Sequence, residues 1–343
     1  MKRSALLIIM ALSINVAQSR IWRVNNNPGI NADFTTLQSA HDAASGGDTL
    51  HLEPSAFSYG GLNATKKLSI FGPGHSLTQN NNLQYVNTIS QAEEINFEIG
   101  SEYSILSGIQ ALSQNVFVKT SNITIVGNKL SGIYLVHPSA ITSGTYSISG
   151  TIIRGNWVNY IFSESLNGNV SHNFSGTSIS ANIIPVGVSM DTPSSYYSNY
   201  IGSLTCRNST VVNNIIKSAN HNCASDNCNL FLVNKNNTIN NNVFSDEADP
   251  TNSGNLQNGQ NNIFNPVLTN VIVGTFNSAE TDYQLLPNSV AIGAGVGGVD
   301  VGPFAGGYVL SGIPQLPTIY NLVVSPTGSA TNGLQVTVKS KTN

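Results

Sequence analysis

Charge is what this chain of 343 residues has least of: Asp, Glu, Lys and Arg together make up 9% of it, against roughly 25% in an ordinary globular domain. The formal net charge is −3 and no stretch is rich in Lys or Arg. There is no basic field to neutralise phosphates, so nucleic acid is not expected as a partner. Long apolar runs are missing as well. The stretch Ala5 to Ile14 is shorter than the roughly 20 residues a helix needs to cross a bilayer, and nothing later is longer, so no transmembrane segment is expected. Cysteine is scarce, with only Cys206, Cys223 and Cys228 present.

The short apolar stretch has a reading of its own. Lys2 and Arg3 precede it, and Ala17 and Ser19 bracket Gln18 behind it, which is the charged, apolar, small-x-small order of a secretory signal peptide. Residues 1–19 are expected to be removed, leaving a chain from Arg20 that is secreted or held at the cell surface. In an oxidising compartment three Cys allow one disulfide and leave one thiol. Cys223 with Cys228 would close a short loop, and Cys206 with either stays open. Zinc is a poor fit, because these Cys spacings with His221 match none of its usual patterns.

What is abundant is Asn and Gly, and a repeat orders them. Five segments superimpose: Ile123 to Leu130, Thr151 to Val158, Thr177 to Ile184, Ser209 to Ile216 and Asn237 to Phe244. One column is always Asn (Asn128, Asn156, Asn182, Asn214, Asn242), at spacings of 28, 26, 32 and 28 residues, inside the range of roughly 20–45 expected of a solenoid unit. Three residues before each Asn stands Ile or Val, and two after it another apolar residue. The offset between these apolar columns is odd. Side chains alternate along a strand with period two, so the chain must turn a corner near the Asn. Six residues before the Asn the column reads Asn122, Gly150, Gly176, Asn208 and Asn236; Gly and Asn enter the left-handed region cheaply, which marks a second bend.

The expected fold is therefore all-β, a parallel β-helix with three short strands per coil, its stacked Asn bonding along the axis. Phe34, Leu37, Ala40 and Ala44 lie at helical spacing before Gly46-Gly47-Asp48 and predict an N-terminal capping helix, since an open end would expose unpaired strand edges. Partial rungs are expected at Leu68 to Phe71, Ile95 to Ile99, Ile105 to Ile109 and Val116 to Val118. A last irregular coil should begin at Asn261 to Phe264. Residues 20–312 form the β-helix in this reading, and residues 313–343 a tail with a hairpin of Tyr320 to Ser325 against Leu334 to Lys339.

Phe34 to Tyr59, with Gly47-Asp48-Thr49-Leu50, and the closing phrases Tyr283 to Gly293 and Asp300-Val301-Gly302-Pro303-Phe304 resemble the pectate-lyase-like superfamily of secreted bacterial right-handed parallel β-helix proteins. The resemblance spans about residues 21 to 312 and implies the right hand of the coil. It implies no activity, because function lives in sites grafted on a fold. The paired carboxylates of polygalacturonase-like hydrolysis are missing, as are the acid pair and Arg of pectin-esterase-like chemistry and the Arg-x-Pro-x-x-Arg phrase of pectate-lyase-like elimination. Asp246, Glu247 and Asp249 offer calcium a possible place, a solvated turn being the simpler reading; no other cofactor is expected.

Candidate binding residues come from one further column. Seven before the ladder Asn stand Ser121, Ser149, Ser175, Arg207 and Lys235, which stacks two cations on neighbouring rungs. They either splay into water or form a small site for an anionic sugar beside the loop Ser218 to Asn229, which carries His221 and Asp226. Among aromatics that can stack on sugar rings are Trp22, Trp157, Tyr160, Tyr196 and Tyr197. Trp157 follows a ladder Asn directly and should point away from the core, either to bind or to pack under a loop. The reading adopted is an exported monomer that binds or presents to polysaccharide at the cell surface without a catalytic motif. The alternative is a polysaccharide lyase-like enzyme on an acidic glycan, in which Arg207 or Lys235 beside His221 would remove a proton next to a neutralised carboxylate.

Overall fold

The computed structural model describes residues 19–80, 83–163, 170–190, 194–206, 209–218, 237–245, 259–274, 279–331 and 333–342. Two long parallel sheets dominate it. The first runs in the order Ile21–Val24, Thr49–Leu52, Ser69–Phe71, Ile105–Ser107, Thr124–Val126, Ile152–Arg154, Thr177–Ser180, Ser194–Tyr197, Thr210–Val212 and Thr238–Asn240. The second runs from Leu62–Ala64 through Ile95–Phe97, Val116–Val118, Lys129–Leu135, Trp157–Ser163, Ile183–Ile184, Tyr200–Cys206, Ile215–Ser218 and Val243–Phe244 to Ile263–Phe264. From Thr124 onward the chain visits the sheets in turn, and parallel pairing between Thr210–Val212 and Thr238–Asn240 is as expected.

Registered apolar columns make the core. On the first sheet Leu50, Ile70, Leu106, Ile125, Ile153, Ile179, Tyr196, Val211 and Ile239 stand in line. On the second, Ile184, Ile201, Ile216, Phe244 and Phe264 do the same. The helix Leu37–Ala43 starts where Thr36 accepts a hydrogen bond from the Ser39 N–H, and it buries Leu37, Ala40 and His41 beside the first strands. Phe34, predicted on that helix, instead bridges Val24 in parallel and packs its ring on Trp22.

Between the sheets the corner is built by two residues. The first is left-handed: Gly127, Gly155, Ala181, Ser198, Asn213, Asn241 and Asn261 all have φ between 52° and 65°. The second is the ladder Asn. Each donates its backbone N–H and its Nδ2 to the Oδ1 of the next: Asn128 to Asn156 at 2.9 and 3.1 Å, Asn156 to Asn182, and Asn214 to Asn242. The same Nδ2 also donates backwards to a strand carbonyl of the preceding coil, as Asn156 does to Ile125 at 2.9 Å. These five amides are no more than 1% exposed, and burial at that depth requires the full set of partners.

One expectation of the repeat needs correction. The 32-residue interval from Asn182 to Asn214 holds two coils, because Asn199 stands on the ladder between them, 17 residues after Asn182 and 15 before Asn214. Its strand places Tyr196 where the other coils have Ile, Leu or Val, with the ring fully buried, so an aliphatic template passes over it. Tyr196 is thus a core residue and not a sugar-stacking one. Within the second sheet some coils carry two strands rather than one: Gln110–Ala111 and Val116–Val118 pair in parallel with the two ends of Lys129–Leu135, and Ile183–Ile184 and Gly187–Met190 with Trp157–Ser163. A further parallel pair joins Gly144–Ser149 to Val170–Ser175. The tail hairpin forms as Thr318–Val324 against Val336–Lys341, antiparallel.

Candidate functional site

The residue after each ladder Asn points outward from the second sheet, and these residues continue, through Lys129, Trp157, Ile183, Tyr200, Ile215, Val243 and Ile263, a column of registers that begins at Ser58, Gln91 and Gln110 on rungs without a ladder Asn. From Trp157 onward the column is apolar and covered. After the last rung the chain returns along the stack and lays Leu268, Val271, Ile272, Tyr283, Ala291, Val301 and Tyr308 over it. Trp157 is 5% exposed, with Tyr283 edge-on at 6.1 Å. It points away from the main core and is packed under this return segment. Backbone contact ties the segment to the corner: a Cβ at Gly312 would come within 2.0 Å of the Gly127 carbonyl oxygen, so only glycine permits the crossing.

Before Trp157 the column is polar and open. Gln91, Gln110 and Lys129 form the floor of a cleft of ≈ 560 Å³, walled by Ser76 to Gln79 on one side and by Ser55, Ala56 and Asn87 to Ile89 on another. Among the described residues, Lys129 is the sole charged one in its lining. Its ammonium donates to Ser76 Oγ at 3.2 Å and lies 4.0 Å over the Trp157 ring. Burial pushes its pKa below the ordinary lysine range, and the field of Glu280 works against that shift.

One wall of the cleft is clamped to the return segment by a buried cluster. Glu280 accepts from the Tyr308 hydroxyl at 2.6 Å, from the Ser311 N–H at 3.1 Å and from Asn80 Nδ2 at 2.5 Å. Burial raises the Glu280 pKa, with these hydrogen bonds acting the other way. His75 Nδ1 lies 3.5 Å from the same carboxylate. Close contact alone would make this an ion pair, but complete burial pushes the His75 pKa down to about 3, with Lys129 adding to the effect. We therefore take His75 as neutral.

A second column on the same sheet carries rings. Phe117, Tyr134 and Phe162 stand in register on adjacent strands, between Asn96 on one side and Ser189 on the other. All three are half-buried, as is Tyr160. Phe117 stacks on Tyr134 at 5.3 Å, Tyr134 meets Phe162 at 5.6 Å, and Tyr160 lies 5.2 Å from Phe162. Room for Tyr160 comes from Gly132, where a Cβ would sit 2.1 Å from the ring, and its hydroxyl donates to Asn115 Oδ1 at 3.1 Å. Four rings thus make a strip across three rungs.

Of the residues singled out from the sequence, Tyr160 joins this strip. Trp22 is half-buried, its Nε1 donating to Asp48 at 2.9 Å and its ring covered by Arg20 at 3.5 Å. Tyr197 is 39% exposed. Arg207, Lys235, His221, Cys223, Cys228 and the Asp246 to Asp249 cluster lie outside the described residues. The sequence did hold signals for what was missed: Tyr134 and Phe162 each lie six residues after a ladder Asn, and Lys129 is the lone cation among Trp157, Ile183, Ile215 and Val243 at the position after it.

No helix among the described residues is long and apolar enough to cross a membrane. No family model matches the chain, and no curated protein or solved structure was found to be similar to it.

Proposed function

We propose that the chain is an exported right-handed parallel β-helix that binds polysaccharide at the cell surface, with the ring strip as its contact surface. The carrying observation is the strip itself: Phe117, Tyr134, Tyr160 and Phe162 are half-exposed on adjacent rungs when a soluble fold gains by covering such rings. Strands repeat at about 4.8 Å, close to the length of one sugar ring, and the C–H face of a pyranose is apolar enough to lie on an aromatic face. Ser189, half-buried at one end of the strip, offers a hydrogen bond to a hydroxyl at a sugar's edge, while Asn96 at the other end is buried and donates to Glu94 at 2.8 Å. Rings with a polar margin are the composition of a site that binds and orients without reacting.

The right hand follows from general chirality, since parallel crossovers within one sheet are right-handed in about 98% of cases. Export rests on residues 1–19, and the Leu37–Ala43 helix serves in this reading as the N-terminal cap. The test is affinity electrophoresis of the chain from Arg20 through gels containing neutral and acidic polysaccharides. Retardation by at least one glycan is expected, and it should fall at least tenfold in Tyr134→Ala/Phe162→Ala with the melting temperature held within a few degrees. Free migration in every gel, or retardation unchanged in the double variant, would remove the strip from consideration.

A further inference from the structure

We propose that the cleft over Gln91, Gln110 and Lys129 is a separate binding site for a small carboxylate bearing neighbouring hydroxyls, a sugar acid or a related polyhydroxy acid. The charge balance of the cleft comes first. Among the described residues Lys129 brings the one charge to a lining otherwise made of Ser, Thr, Asn, Gln and a few apolar side chains. Among the described residues no carboxylate stands within ion-pair distance of it. Glu280 acts on it through space, but that carboxylate is fully buried, does not line the cleft, and is occupied by Tyr308, Ser311 and Asn80.

The ammonium is also held in place. A surface lysine ordinarily extends into water, whereas here Ser76 Oγ and the face of Trp157 fix the head group. A cation with one neutral acceptor and an aromatic face keeps donors to spare, and an incoming carboxylate would complete it with charge-assisted hydrogen bonds.

The floor supplies the rest of the recognition. Gln91 and Gln110 stand on the two rungs before Lys129, and their side-chain amides make no hydrogen bond to any described residue. Each brings two donors and an acceptor, a set suited to hydroxyls, which both give and take. The volume, ≈ 560 Å³, falls within the roughly 300–1,000 Å³ of small-molecule sites. A neutral sugar would leave the ammonium unanswered, and a bare short acid would leave the amides so.

The cleft and the ring strip are different columns, so this inference stands apart from polysaccharide binding. Isothermal titration calorimetry of the chain from Arg20 with D-gluconate, D-glucuronate, D-glucose and acetate tests it. One or both sugar acids should bind, with glucose and acetate at least about tenfold weaker; the stronger of the two acids tells whether an open-chain acid or a ring acid is the natural source. Lys129→Met should weaken acid binding roughly 10- to 100-fold, the range for loss of a charge-assisted hydrogen bond, while Tyr134→Ala leaves it unchanged. If Lys129→Met fails to fold, Lys129→Arg should keep binding within a few fold and Gln110→Ala should reduce it. Glucose bound as tightly as the acids, acid binding unaffected by Lys129→Met, or no heat with any of the four probes would overturn the proposal.

Discussion

The two halves of one column on the second sheet have the same backbone and opposite fates. From Trp157 to Ile263 the outward residues are apolar and the chain's own return segment covers them; from Ser58 to Lys129 they are polar and stay open. In a repeating parallel fold, backbone geometry does not decide which surface is core. The side chain placed after the ladder Asn does, because burial of an apolar column recruits a cover and a polar column repels one. The return segment leaves the sheet where the column changes character, between Trp157 and Lys129.

The contrast can be broken most severely at the cover. Tyr283 is fully buried, its ring 4.7 Å from Tyr200, so Tyr283→Ala should cost about 3–5 kcal/mol. Gln110→Ala on the open half should stay within about 0.5 kcal/mol. Urea unfolding of both variants checks this, and similar losses in the two would abolish the distinction between the halves.

A smaller effect is expected at the seam. His75 is held neutral with its pKa near 3, so the unfolded chain takes up a proton that the folded one refuses. Its contribution is fully present above about pH 6.5 and is lost as pH falls toward 3, amounting to roughly 3 kcal/mol at pH 4.5. Glu280, with its pKa raised, works in the opposite sense: the folded state holds that proton more tightly, and stability from it falls as pH rises above the unfolded value. His75→Gln should flatten the fall in the urea midpoint between pH 7 and pH 4.5. An unchanged slope would mean that His75 is charged in the fold.

The smallest of the three lies beneath both halves. Asn214→Leu removes the acceptor for Asn199 N–H and Nδ2 and the donor to Tyr196 O, leaving buried groups unpaired at a cost of about 1–3 kcal/mol. A melting curve identical to the parent's would show the amide stack to be dispensable.

Legibility in the sequence followed the same division. The aliphatic columns and the Asn column repeat, so parallel pairing, the corner and the partial rungs could all be read before any coordinates. Tyr196 broke the template by substituting an aromatic for an aliphatic core residue, and one coil was lost with it. The cleft was harder to see for a different reason. Gln91 and Gln110 lie on rungs with no ladder Asn of their own, so no repeat points to them, and the walls come from loops at 76–79 and 87–89 that share no pattern with the coils. Trp157 reads correctly as outward-facing, but what covers it lies more than a hundred residues later.

The direction of the amide stack bears on how the molecule is made. Every ladder Asn hands its backbone N–H to an oxygen that the following coil must provide, 28, 26, 17, 15, 28 and 20 residues downstream along the series from Asn128 to Asn262. A chain emerging N-terminus first therefore completes each coil only when the next arrives, and its growing end always carries one corner still waiting for its acceptor. Assembly of this kind is vectorial, with a lag of one coil. The two short coils at Asn199 and Asn214 shorten that lag midway along the stack.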